Sequence, residues 1–216
     1  MDLGQPYLAL LQPVRAKVLL SLHRTVAPMT GREVARRAGV SQPAALEALG
    51  HLVEHGLVHS QAVGSAYLYT LNEKHILVGA LDVVFSVRTD LVKRMAASVS
   101  RWQVQPLHVS IFGSAARGDG DTKSDIDVLV VRPPFIDGDS HTVGWRWQLD
   151  TMIHEIDLWT GNRASLVELS VDELRTLDHE RRRLLQDIRR DGMLVTGTKI
   201  DDLLIGKLAR QDETPR

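Results

Sequence analysis

Apolar positions along the chain switch between helical and strand-like spacing. Over residues 13–23, Val14, Val18, Leu19 and Leu22 share one helical stripe. Thr30 followed by Glu33 is a capping-box pattern that opens a short helix through Ala38. Gly39 and Val40 make a turn, Ser41 caps the next helix, and Pro43 sits in its first turn, where proline is tolerated. That helix should bury Ala45, Leu46, Leu49, Leu52 and Val53 and stop at Gly56. Leu57–Ser60 and Ala66–Leu71 alternate like two strands around Gly64 and Ser65. From residue 75 to about 102 the spacing predicts one connecting helix, with Ile76, Ala80, Val83, Val84, Val87, Leu91 and Met95 on a common face. After Pro106 come a strand (His108–Phe112), a glycine turn, a polar loop, a strand (Asp125–Val131) and a loop over 133–142. A helix then places Trp145, Leu149, Met152, Ile153, Ile156 and Trp159 on one face. A short strand, Ala164–Leu169, and two or three C-terminal helices follow, and the last residues read as a frayed end.

Helix, helix, tight turn, helix and hairpin is the order of a winged helix-turn-helix. The segment REVARRAGVSQPAALEALGHLVEHGLV resembles the helix-turn-helix of bacterial ArsR/MarR-like regulators over roughly residues 13–72. The expectation is an α+β protein: a winged helix over 1–74, a connecting helix over 75–104 and a second domain over 105–216. Duplex DNA is the partner such a module implies. Its recognition helix, QPAALEALGHLVEH, carries no Arg or Lys, the side chains on which base readout usually leans. Ser41 and Gln42 are the candidate base contacts, and Arg32, Arg36 and Arg37 on the preceding helix are candidates for phosphate.

The stretch IFGSAARGDGDTKSDIDVLVV, residues 111–131, carries chemistry. A strand ends in Gly113-Ser114, where glycine lets a polyphosphate approach the backbone and the N–H groups of a helix start attract its charge. Residues two apart in a strand point to the same face, so Asp125 and Asp127 project together while Ile126 enters the core. Two aligned carboxylates suit Mg²⁺ (or Mn²⁺), which takes one or two from protein and completes its shell from water and phosphate. A Walker loop fails because Asp119, not Lys, follows Gly118. An EF-hand begun at Asp119 fails because Ser124 and Val130 stand where Gly and Glu are required.

With G-S, a ten-residue spacer and D-x-D before an apolar run, the chain resembles the DNA polymerase β-type nucleotidyltransferases. The minimal prokaryotic members, with GSxARG…SDID, are the nearest form, and the likeness covers roughly residues 105–170. It implies a mixed sheet flanked by helices, and attack of a hydroxyl on the α-phosphorus of an NTP with loss of pyrophosphate. By the same resemblance Gly113 and Ser114 would contact the β- and γ-phosphates, Arg117 would lie near them, and Ser124 would support the loop. Asp125 and Asp127 would hold the metal and carry catalysis. The family's third carboxylate falls at Ser165, with Glu168 on the same strand and Asp157 upstream as the available substitutes.

Composition narrows the setting. Hydrophobic residues are 44% and charged residues 25% of 216, as in an ordinary globular protein, and no Cys is present for a disulfide or thiolate chemistry. No basic start leads into a clean apolar run, and nowhere do eighteen apolar residues follow one another, so a cytoplasmic protein without a membrane span is expected. The net charge of −1 argues against strong electrostatic binding of polyanions. The nine His residues are read as single imidazoles, with zinc not expected. Arg181-Arg182-Arg183 and Arg189-Arg190 are read as parts of salt-bridged helices with Asp178, Glu180, Asp187 and Asp191. Trp102, Trp145, Trp147 and Trp159 are read as core. Two functions compete: an NMP transferase fused to a DNA-binding module, and a regulator whose incomplete transferase domain senses a nucleotide or serves as a homodimer contact.

Overall fold

The computed structural model describes residues 1–134, 139–176 and 179–205. Two compact units divide it: Gln5–Val87, and Met1–Gly4 together with the residues from Arg88 on. The fold is α+β.

In the first unit a 3-10 turn (Pro6–Ala9) precedes α1 (Pro13–His23), β1 (Met29–Thr30), α2 (Gly31–Ala38) and α3 (Gln42–Glu54). The hairpin β2 (Val58–Val63) and β3 (Ala66–Leu71) and helix α4 (Val78–Phe85) complete it. Local chemistry sets the helix ends. Thr30 Oγ1 accepts from the Glu33 N–H at 3.2 Å, and Ser41 Oγ accepts from Ala44 N–H at 3.4 Å, satisfying N–H groups that lack helical partners. Gly39 closes α2 at φ +63°, a backbone state natural only to glycine. The sheet is antiparallel with order β1-β3-β2. On α3 the buried stripe is Ala45, Ala48, Leu49 and Leu52, whereas Leu46 is 42% exposed and lies over Gly31. The expected burial of Leu46 is therefore corrected: it flanks the i, i+3, i+4, i+7 stripe instead of sharing it.

The expected connecting helix is two helices. α4 ends at Phe85 and α5 (Val87–Val99) begins after Ser86, so one helical phase does not run through both. Leu91 and Met95 are buried as expected, but Ile76 is 92% exposed and Val83 is also exposed, with Leu81 the buried side chain of α4.

The second unit is built on β4 (His108–Phe112), α6 (Gly113–Arg117), β5 (Ile126–Val131), α7 (Asp139–Thr160) and β6 (Ala164–Leu169). Then come α8 (Val171–Arg175), α9 (His179–Asp191), β7 (Met193–Gly197) and α10 (Ile200–Ile205). The sheet has order β6-β5-β4-β7, parallel only between β5 and β6. A parallel pair needs a long crossover, which α7 provides. Strand alternation splits the core. Ile126, Val128 and Val130 pack with Met95, Trp145, Leu149, Met152 and Ile156, while Leu129 and Val131 pack with Phe112, Leu174, Leu185, Ile188 and Leu203. Strand β7 was not expected among the C-terminal helices; its pairing with β4 makes it a strand. Trp147 is 68% exposed and is not core, unlike the edge-to-face pair of Trp102 and Trp145. The expected frayed end and the Arg181-Arg182 part of the basic cluster, with Asp178 and Glu180, lie outside the described residues and side chains.

Candidate functional site

Gly113 ends β4 and starts α6 with φ +69°. Any side chain there would be strained, and a Cβ would run into the Asp127 carboxylate. The backbone of the Gly-Ser turn is thus held directly against Asp127. Strand register makes this contact: Phe112 is the partner of Asp127 across the antiparallel pair. Asp127 is half-buried and Asp125, just before the strand, is exposed. Burial, with the charge of Asp125 next, pushes the Asp127 carboxyl above its ordinary value; a hydrogen bond from the Ser165 hydroxyl opposes this. Two neighbouring carboxylates, one of them disfavoured as an anion, form a donor set that a bound cation would relieve.

The loop beyond α6 is folded on itself. Ser124 Oγ accepts from Asp121 N–H at 2.9 Å and donates to Asp121 Oδ1 at 3.0 Å, so it braces the approach to Asp125. Gly120 lies close against Ser114 Oγ. Arg117 donates from Nε to Asp119 at 2.9 Å, and each holds the other's charge: the Asp119 carboxyl is lowered and the guanidinium raised. Gly113, Ser114, Arg117, Ser124, Asp125 and Asp127 therefore occur on one continuous strand–turn–loop–strand.

The resemblance puts the family's third carboxylate at Ser165. In the parallel pair, Ser165 stands directly beside Asp127. Neither substitute reaches the site. Glu168 lies on the other face of β6, where it accepts from Trp145 Nε1 at 2.9 Å and faces Arg132 at 3.7 Å. Asp157 is exposed on α7, a helix packed on the face of the sheet opposite Asp127. Among the described residues no group of three His, Cys, Asp or Glu side chains is placed to hold a metal.

Two supports were not foreseen. Arg88, at the start of α5, donates from Nη2 to the Ala116 carbonyl and lies over Gly118, the left-handed cap of α6. Asn162 donates to the Ser124 carbonyl at 2.9 Å. Nothing in either local sequence marks these roles, because both partners are distant in the chain.

In the helix-turn-helix, Arg32 and Gln42 are exposed, and the Ser41 hydroxyl is engaged as the α3 cap. Arg37 is tied to Glu33 at 3.1 Å and to Thr25 at 3.0 Å, and Arg36 lies 3.9 Å from Glu33. The reading of every His as single is corrected: His51 and His55 are one turn apart with ring centroids 4.4 Å apart. The salt-bridged reading holds for Arg189, on Asp201 at 2.6 Å, and for Arg190, on Asp187 and Asp191 at 2.9 and 2.8 Å, but not for Arg183, which has no ion pair among the described residues. No helix among the described residues is long and apolar enough to cross a membrane.

The nucleotidyltransferase domain family matches residues 82–189, half of the chain. The chain belongs to that family. Residues 16–62 match the IclR helix-turn-helix domain, which bears out a helix-turn-helix but not its ArsR/MarR type. Among solved structures, a toxin–antitoxin with AMP-PNP is 19% identical, covering 54% of this chain and 82% of that one, at TM-score 0.36. A mutant of the toxin–antitoxin MntA-HpeT is 18% identical with the same coverage, at TM-score 0.37. No curated protein matches.

Proposed function

We propose that this nucleotidyltransferase-domain protein transfers NMP from an NTP to an acceptor hydroxyl, with Mg²⁺ (or Mn²⁺) as cofactor, and that its helix-turn-helix binds duplex DNA. The observation that carries the reading is the close seat of the Gly113 backbone against Asp127, with Asp125 beside it. Polyphosphate can approach a turn that has no side chain, and Gly113, Ser114 and the first N–H groups of α6 take the β- and γ-phosphates. Arg117 and the Ser124-braced loop flank them. Asp125 and Asp127 fit one divalent ion, which takes one or two protein carboxylates and finishes its shell with phosphate and water. When bound, that ion neutralises phosphate charge and aligns the α-phosphorus for in-line attack. With Ser165 rather than a carboxylate beside Asp127, a second ion is poorly held and the acceptor's proton lacks a strong base, so turnover is slow.

The same serine favours a second reading, a regulator that binds Mg·NTP and does not transfer it. Asp125→Asn with Asp127→Asn should abolish Mg²⁺-dependent NTP binding in calorimetry while the melting temperature is kept, since both side chains lie at the end of a strand. Unchanged affinity would overturn both readings. Incorporation of label from α-³²P-NTP into the protein or a cell extract separates them: labelled product supports transfer, and binding without label supports the sensor.

A further inference from the structure

The first unit contains a cavity of about 420 Å³ that the nucleotide site does not use. Lys17 on α1, Arg24 and Thr25 just after it, and Arg37 at the end of α2 line it together with Gln5 and Tyr7. Its lining holds three cations and no carboxylate. Neither Lys17 nor Arg24 has an ion pair among the described residues, whereas Arg101, Arg117, Arg132, Arg175, Arg189 and Arg190 of the second unit each have one. Arg37 is held in place by Glu33 and by the Thr25 hydroxyl, which leaves other guanidinium N–H groups to donate. Tyr7 forms a buried wall, packed edge-on to Phe85 at 5.6 Å.

We infer that this cavity is a binding site for a small phosphate ester. Lys17 and Arg24 without an ion pair, beside an Arg37 that Glu33 engages only in part, favour an anion, and Arg matches phosphate oxygens through paired N–H groups. The volume falls in the range of roughly 300–1,000 Å³ typical of small-molecule pockets. Tyr7 and Leu20 offer apolar surface to the carbon part of an ester, which a bare phosphate would not cover. A DNA phosphate is the less favoured occupant, because no residue of α3 or of the hairpin lines the cavity.

The test uses the full chain carrying Asp125→Asn and Asp127→Asn, in EDTA, so that the Mg²⁺-dependent site is silent. Ribose 5-phosphate, inorganic phosphate and ribose are titrated by calorimetry. Ribose 5-phosphate should bind at one per chain and ribose should not. Adding Lys17→Gln and Arg24→Gln should weaken the phosphate ester by about tenfold or more, at an unchanged melting temperature. Inorganic phosphate binding as tightly as the ester would support the anion site and overturn the ester as its ligand. No ester binding, or binding indifferent to the added substitutions, overturns the inference. So does an effect of those substitutions confined to duplex-DNA binding and its salt dependence, which would make the two cations contacts for nucleic acid.

Discussion

By the resemblance, the third carboxylate of the polymerase β-type pattern would fall at Ser165, which the parallel register places beside Asp127. Its hydroxyl donates to Asp127, which steadies the anion but supplies neither negative charge nor a base. Ser165→Asp should therefore raise labelled-NMP transfer, by about 10²–10⁴-fold if the remaining geometry is intact, since that is what one placed general base contributes. Glu168→Gln should leave transfer unchanged, because Glu168 faces Trp145 on the other side of β6. Loss of activity in that variant would contradict the assignment of faces.

His108 gives a second residue-scale prediction. Its imidazole is buried, bonded to Thr198 O at 2.8 Å and to Ser110 Oγ at 2.8 Å, and burial lowers its pKa from the ordinary 6.5. The unfolded chain then takes up a proton at higher pH than the folded one. Stability from this group is complete above about 6.5 and falls with pH until the lowered folded value is passed. Urea midpoints should drop between pH 7.5 and 5.5, and His108→Gln should flatten that drop. An unchanged slope in the variant would assign the loss to other groups.

At the scale of elements, a five-residue helix with glycine at both ends carries the Gly113-Ser114 turn, and so short a helix does not hold itself. Arg88 bonds its Ala116 carbonyl and lies over Gly118, anchoring α6 from the start of α5. A charge-assisted bond of this kind is worth about 1.5–3 kcal/mol. Arg88→Met keeps much of the stem and removes the donor, so Mg·NTP affinity should fall by roughly tenfold, with Arg88→Lys between the two. Equal affinities for all three would show that α6 is positioned without Arg88. The break at Ser86 illustrates the limits of periodicity: read as one helix, residues 75–102 assign Ile76 and Val83 to a face that α4 does not bury. A phase carried across a helix end loses its meaning, whereas Leu91 and Met95, both within α5, are read correctly.

At the scale of the whole molecule, a nucleotidyltransferase domain and a helix-turn-helix whose α3 carries no Arg or Lys occur in one chain. On α2, Arg36 and Arg37 both face Glu33, at 3.9 and 3.1 Å, and Arg32 alone of the three has no ion pair among the described residues. Counterion release scales at about −0.9 per phosphate neutralised, so duplex binding should show a shallow salt dependence. A log–log slope near −6 or steeper would mean about six or more phosphate contacts and contradict this reading.

The sequence by itself determined what is settled over short stretches. The caps Thr30 and Ser41, the turn at Gly39, the alternation along β5 and the G-S…D-x-D spacing all act within about a dozen residues, and each of these expected elements is present. Only the tertiary structure decided what depends on partners far apart. The pairing of Asp127 with Ser165 is set by the crossover of α7, and Met193–Gly197 becomes a strand because β4 offers it an open edge. Arg88 reaches Ala116 across 28 positions, so no window of local pattern contains both. Backbone torsions and capping are local energies, but register, strand neighbours and long-range clamps are chosen by burial of the common core, which sequence spacing alone does not specify.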